Sequence, residues 1–393
     1  LRLPAPSDGR EAVGSGGLRL PLQQPALFEE ALDYEDTAVK LLVTGGAGFI
    51  GSHLVRACLN RPDVWVVNLD KLTYAGNLDS IRDLRGHPRH EFIQADIADA
   101  AALREVFSRH QPDAVLHLAA ESHVDRSIDA PDEFIRTNIA GTYNLLEASH
   151  RLWQERKKAG GNFRYLQVST DEVYGSLGFG DSAFAETTAY DPHSPYAASK
   201  AAADHLARAW YHTYGLPVLV THSPNNYGPN QFPEKLIPLV IIKALQGEEI
   251  PVYGRGENIR DWLHVTDHVS AVLAVLERGR VGETYHVGGG QELSNLDLVR
   301  RLCVVLGELR PRADGQSYAG QIRLVTDRPG HDLRYAINAA KIRSELGWQP
   351  QETLATGLRQ TVQWYLDNEA WWRPILSGKY QLQRLGVTSA AIP

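Results

Sequence analysis

Six short β-branched runs, VKLLVT (39–44), VWVVNL (64–69), EFIQA (91–95), AVLHLA (114–119), RYLQVS (164–169) and VLVTH (218–222), alternate with longer helix-like stretches. Strands that are apolar along their whole length leave no face for water, so both faces must be covered by the amphipathic segments between them. This pattern predicts a doubly wound parallel α/β sheet of the Rossmann type over residues 38–222. At 43% hydrophobic and 22% charged, 393 residues can bury a large core. Beyond residue 222 the chain turns to Pro, Gly, aromatics and scattered Arg. There PEKLIPLVIIKALQG and NLDLVRRLCVVLGEL read as helices, and IPVYG and GETYHVGGG as strands. A smaller mixed α/β domain is expected from 223–254 and 291–393, with a segment of about 255–290 returning to the first domain. Residues 1–37, rich in Gly, Pro and charge and without a signal-peptide pattern, read as a flexible extension.

Several function classes are disfavoured at this level. A net charge of −7 provides no basic face for nucleic acid or an anionic membrane. No run of 18 apolar residues predicts a membrane span. Cys58 and Cys303 lie far apart and outside any ligand spacing, which fits a reducing, cytoplasmic compartment and neither a disulfide framework nor a metal site.

The chemistry-bearing motifs follow the strands. LLVTGGAGFIGSHLV places Gly45, Gly48 and Gly51 between a strand and a helix, where glycines permit a tight turn and close approach to a pyrophosphate. Asp70 ends the second strand, where an acid can accept hydrogen bonds from a ribose diol; this favours NAD over a 2′-phosphorylated cofactor. Asp96, after the third strand, is a candidate adenine contact. Tyr196 and Lys200 stand four residues apart on one helix face. A phenol titrates near 10, so it needs a neighbouring cation, Lys200 and the nicotinamide ring, to act as a base near neutrality. At the end of the fifth strand, Thr170 leads into two adjacent acids, Asp171 and Glu172.

With these motifs the chain resembles the extended short-chain dehydrogenase/reductase family and, within it, the dTDP-glucose 4,6-dehydratases. TDEVYG, LAAESHVDRSI, NNYGPNQFPEKLIP, RDWLHVTDH and DRPGHDLRYAIN occur in the family's order, and the likeness runs from Val39 to the C-terminal aromatic tail. The resemblance implies that Tyr196 is the base for the C4 hydroxyl, Glu172 the base at C5 and Asp171 the acid at C6. Thr170 would bond the sugar, and Lys200 would tune Tyr196. NAD would be held by Gly45, Gly48, Phe49, Ile50, Gly51, Asp70, Lys71, Thr73, Asp96, Ile97, Leu118, Ala120, Ser122, Thr137, Tyr196 and Lys200. The nucleotide sugar, dTDP-glucose, would meet Ser122, Thr170, Asn225, Glu234, Lys235, Leu236, Pro251, Val252, Tyr253, Arg260, Asn295, Arg328 and His331, with the two arginines on the diphosphate. Relatives are homodimers, and NIAGTYNLLEASHRLW would supply the interface. Ser223-Pro224 departs from the Cys-Ser that many relatives carry, and the proline removes a backbone donor. The rival readings are a dehydratase of a UDP-sugar, a 4-epimerase, which has no use for the acid pair, and a catalytically silent NAD-binding sensor.

Overall fold

The computed structural model describes residues 39–378 and Leu382; the expected extension over residues 1–37 lies outside them. Among these residues the strands are β1 (Val39–Thr44), β2 (Val64–Asp70), β3 (His90–Gln94), β4 (Ala114–His117), β5 (Arg164–Thr170), β6 (Val218–Ser223), β7 (Asn225–Tyr227), β8 (Ile250–Tyr253), β9 (Ile259–His264), β10 (Thr284–His286), β11 (Glu292–Ser294) and β12 (Ile322–Val325). Seven of them form one parallel sheet in the order β3-β2-β1-β4-β5-β6-β10. Chain order reverses between β1 and β4, so the loops leaving these strands diverge and open a crevice at their carboxyl ends. The register places Thr44 opposite His117, and Thr170 opposite Ser223, along that edge.

Leu42, Val115, Leu145, Tyr165 and Leu216 are fully buried in the core of this sheet and its helices. The helix Pro195–Tyr214 shows how local chemistry sets an element. Ser194 caps it by accepting from Ala197 N–H at 3.1 Å, Pro195 fills its first turn, and Gly215 ends it at φ +69°. Its buried stripe includes Tyr196, Lys200, Asp204 and Ala207.

The segment NIAGTYNLLEASHRLW, which begins at Asn138, is not one continuous α-helix. A π-helical turn, Ile135–Gly141, precedes the helix Thr142–Lys158. Gly141 is pressed against Ile97, whose Cδ1 would lie 2.7 Å from an added Cβ. The wider turn lies where Thr137 reaches the crevice.

The rest of the chain builds two small sheets. β9 lies between antiparallel β11 and parallel β7, and β8 pairs in parallel with β12. A second core, with Tyr227, Ile241, Trp262, Leu302, Tyr365 and Trp372, unites them with the helices Leu236–Gln246, Asn295–Leu309 and Leu354–Asp367. β9 thus joins the small sheet, while the helix Val265–Arg278 packs on the helix Phe49–Leu59 and on β6, and β10 extends the large sheet. β7 was not read from the sequence; three residues of Asn-Asn-Tyr carry no strand signal.

Among the described glycines, the closest approach to backbone is at Gly51, where an added Cβ would sit 2.1 Å from the Gly45 carbonyl oxygen and 2.7 Å from Gly46 Cα. Both neighbours are backbone and cannot rotate aside. Gly51→Ala is expected to destabilise the protein by about 1–3 kcal/mol, the usual cost of overpacking, read as a lower denaturation midpoint. An unchanged midpoint would show that the loop can shift freely.

Candidate active site

The carboxyl ends of β1, β2, β4, β5 and β6 line one continuous cleft. Gly45 leaves β1 at φ +76°, and a Cβ there would lie 2.8 Å from the Ala119 backbone nitrogen. The helix Phe49–Leu59 begins at Gly48 with no side-chain cap and no acid in its first turn. Its positive end is therefore left for an anionic ligand, and the missing Cβ atoms keep the cradle open. Asp70 closes β2. Its Oδ2 accepts from Ala47 N–H at 3.0 Å and its Oδ1 from Leu72 N–H at 2.8 Å. The acid thus braces the glycine loop, and about half of its roughly four acceptor sites remain for a diol. Burial pushes its pKa up while the two backbone donors hold it down. Asp96 is paired with Arg136 at 2.9 Å and has Lys71 at 3.6 Å.

The candidate reacting groups gather where β5 meets the helix Pro195–Tyr214. Thr170 Oγ1 accepts from Glu172 N–H at 3.2 Å and caps the turn Asp171–Tyr174. Asp171 is 1% exposed, and its Oδ2 has no hydrogen-bond partner among the described residues. Burial, then the charges of Glu172 and Asp261, push its pKa well above the usual carboxylate range; Arg260 and the Thr170 hydroxyl act against this. Burial also raises Glu172, but Arg328, Arg260 and Lys235 pull it back. Two adjacent carboxyls therefore sit in different fields, the arrangement that separates an acid from a base.

Tyr196 is buried, and burial followed by the Glu172 charge pushes its phenol up; a hydrogen bond with Thr170 opposes. The lowering expected from Lys200 is not found in the protein's own field. Lys200 Nζ donates to the Val168 carbonyl at 2.9 Å, and burial pulls the ammonium down while Asp204 supports its charge. One turn further along the same helix, Asp204 Oδ2 accepts from Ser169 Oγ at 2.7 Å and lies 3.0 Å from His222 Nε2. Helix positions 196, 200 and 204 thus grip three consecutive residues of β5.

Every cofactor candidate named from the sequence lines this one cleft, as do Ser122, Thr170, Asn225, Glu234 and Lys235 of the substrate candidates. The others lie outside that lining. Arg260 donates to the Ile259 and Asp332 carbonyls and stacks 4.3 Å over Tyr335. Arg328 pairs with Asp125, and the His331 ring meets Asp327 at 2.7 Å and stands edge-on to Tyr253. Val252 buries its side chain in the second core and Leu236 packs against that core, so Val252 can offer only backbone. Pro251 is partly buried beside Val252 on β8, and Asn295 N–H donates to the Asn258 carbonyl at 3.0 Å.

Some of the groups here were invisible to sequence reading. Gln231 and His268 line the cleft, and both ring nitrogens of His268 are buried without a partner among the described residues. Asp125, within the quoted motif LAAESHVDRSI, holds Arg328; spacing alone gave it no role. At the Ser223-Pro224 step, Asn226 Nδ2 donates to the Pro224 carbonyl at 3.0 Å, so proline removes a donor but keeps a used acceptor.

A family model described as GDP-mannose 4,6 dehydratase matches residues 42–361. The dTDP-glucose 4,6-dehydratase of Neisseria meningitidis is 57% identical over 353 residues, 88% of this chain and 99% of that protein. The chain belongs to the dTDP-glucose 4,6-dehydratase family. The Escherichia coli relative is 53% identical over 363 residues, covering 89% of this chain and 99% of its own. Among solved structures, DesIV, the dTDP-glucose 4,6-dehydratase of Streptomyces venezuelae crystallised with NAD bound, superposes with a TM-score of 0.77 at 46% identity. That match covers 86% of this chain and all of that one. A UDP-glucose 4-epimerase of Thermotoga maritima gives 0.73 at 28% identity over 84% of this chain and 100% of its own. The fold is therefore shared with an epimerase of 28% identity, and fold alone does not fix the chemistry.

The field around Asp171 has a consequence for stability. A carboxyl whose folded pKa is raised binds a proton that the unfolded chain has released, so the native protein loses stability as pH rises above about 4. Asn cannot titrate. Asp171→Asn is expected to gain stability over the native protein progressively as pH rises above the ordinary carboxylate range of about 4, read from denaturation midpoints across pH. A constant difference, or one that shrinks with pH, would place the charge of Asp171 in a favourable field.

Proposed function

We propose that this chain converts dTDP-glucose to dTDP-4-keto-6-deoxyglucose and water. NAD, when bound, accepts hydride from C4 and returns it to C6. The observation that carries the reading is the acid pair: Asp171, buried, with an unpartnered Oδ2 and a pKa pushed well up, beside Glu172, which burial also raises but three cations pull back toward the ionised form. Oxidation at C4 acidifies the C5–H bond. Glu172 then takes the C5 proton, Asp171 gives its proton to the departing C6 hydroxyl, and water leaves. Tyr196 takes the proton of the C4 hydroxyl, with Thr170 as its hydrogen-bonding neighbour and the Lys200 charge fixed one helical turn away. Gly45, Gly48, Phe49, Ile50 and Gly51 would seat the pyrophosphate, Asp70 the ribose, and the remaining cleft residues the adenine and nicotinamide ends. Asp96 competes for this with Arg136, which already occupies one of its oxygens.

Arg260, Arg328 and Lys235 form the positive wall suited to a nucleoside diphosphate. A thymidine nucleotide is preferred to a uridine one on the names of the relatives at 53–57% identity. An epimerase leaves the two acids without work. We further infer a homodimer through the helices Thr142–Lys158 and Pro195–Tyr214, whose outer faces leave Tyr143 and Tyr214 close to half exposed. Two free, buried cysteines fit the cytoplasm, and among the described residues no helix is long and apolar enough to cross a membrane.

The acid pair separates experimentally. Glu172→Gln is expected to bind the sugar and oxidise C4 yet exchange no C5 proton with D₂O. Asp171→Asn should retain part of that exchange while loss of the C6 hydroxyl slows. Tyr196→Phe should lose C4 oxidation by about 10²–10⁴-fold with binding intact. Mass spectrometry of recovered sugar reads all three. Exchange surviving in Glu172→Gln and lost in Asp171→Asn would reverse the assignments, and normal turnover in all three variants would overturn the site.

A further inference from the structure

The short helix Val124–Asp129 follows the loop after β4 and reaches toward the small sheets. Asp125 on it is 5% exposed, and both its oxygens are engaged: Oδ1 by Arg328 Nη1 and Oδ2 by the Tyr253 hydroxyl at 3.1 Å. One carboxylate thus ties three segments, the helix after β4, β8 and the loop bearing Arg328. The next residue, Arg126, faces another way. Its Nε donates to Glu234 Oε2 at 3.0 Å, and its guanidinium lies 3.7 Å over the Tyr74 ring. Arg328 keeps one donor in reserve, since its Nε is buried with no partner among the described residues. Asp125 therefore fixes one edge of the guanidinium and leaves another to bond elsewhere.

We propose that Asp125 is a positioning residue that fixes Arg328 between the diphosphate of the substrate and the Glu172 carboxylate. The proposal rests on the dehydratase reading given above. The groups acting on Glu172 are Arg328, Asp332 and Tyr335 from the loop and strand-like segment after β12, Arg260 from β9, Lys235 before the helix Leu236–Gln246, Tyr196 from its helix, and the adjacent Asp171. Arg328 is the strongest charged influence among them and favours the ionised form that must take the C5 proton. Arg328 in turn faces Asp125, Glu172 and Tyr335, with His331, His123 and Lys235 nearby. Loosening the guanidinium withdraws that support, so Glu172 would hold its proton to higher pH, and the acid limb of C5 exchange would move upward.

The test is Asp125→Asn in the full chain, an amide of the same shape that must turn its NH₂ toward one of two donors. Binding of dTDP is expected to weaken by about 10- to 100-fold, the range for a lost charged hydrogen bond, while dTMP, lacking the second phosphate, is little affected. For dTDP-glucose, KM should rise, C4 oxidation at saturation should persist, and the acid limb of C5 exchange should shift up. Unchanged dTDP affinity and an unmoved limb, or a uniform loss of kcat at all pH, would overturn the proposal. If Asp125→Asn does not fold, Tyr253→Phe frees the other carboxylate oxygen and should move the limb the same way by less; an unmoved limb there also overturns it. Nucleotide binding needs no turnover, so a native protein that binds dTDP but makes no keto sugar would fail the dehydratase reading while the Asp125 comparison still stands.

Discussion

The site depends on how the end of β5 is clamped to the helix Pro195–Tyr214. Lys200 donates to the Val168 carbonyl and Ser169 donates to Asp204, so two bonds of opposite direction fix strand and helix in one register. Both partners of each bond are buried, where an unpaired group is costly and a paired one is hard to displace. Behind the clamp, Tyr174 hydroxyl meets His222 at 2.9 Å and His286 at 2.8 Å, linking the ends of β6 and β10 to the same point. Thr170, Asp171, Glu172 and Tyr196 inherit their positions from this lock. A shift of one residue in β5 would turn the acid pair away from the cleft.

Burial then does to the acids what composition cannot. The chain is acidic overall, yet the described residues around Glu172 include Arg260, Arg328 and Lys235, drawn from three separate stretches of sequence. Asp171 lies on the side of the pair where Asp261 and Glu172 add to the desolvation. Local field, not residue type, is what distinguishes two neighbours that are chemically almost identical. Arg328 is itself held by Asp125, and the nearby Arg126 by Glu234, so the charges around the acid pair form a balanced network and not a simple basic patch.

Much of this was legible in the sequence for physical reasons. Continuous apolar runs require a sheet covered on both faces, and of the glycines at 45, 48 and 51 the first and last mark places where a Cβ cannot fit, with Gly48 in a tighter contact than most Cβ atoms meet. The spacing of Tyr196 and Lys200 places them on one helix face whatever the tertiary fold. What was not legible depends on distant partners. The pairing of Asp125 with Arg328 joins residues 203 positions apart. Lys200 turned out to hold a strand carbonyl, a contact to which helix spacing is blind. Val252 matched a substrate position, but strand alternation on β8 sends its side chain into the second core. The π-helical turn at Ile135–Gly141, whose last residue lies close against Ile97, is not announced by the local sequence.

In the reaction proposed for this chain, one site oxidises C4, removes water across C5 and C6, and returns the same hydride to C6. The most direct measurement uses dTDP-glucose carrying deuterium at C4, incubated with the purified protein without added oxidant or reductant. The expected product is a 4-keto-6-deoxy sugar with that deuterium retained at C6 and one solvent-derived hydrogen at C5. Recovery of the 4-epimer, deuterium lost to solvent, or product formed only with a stoichiometric external oxidant would contradict it.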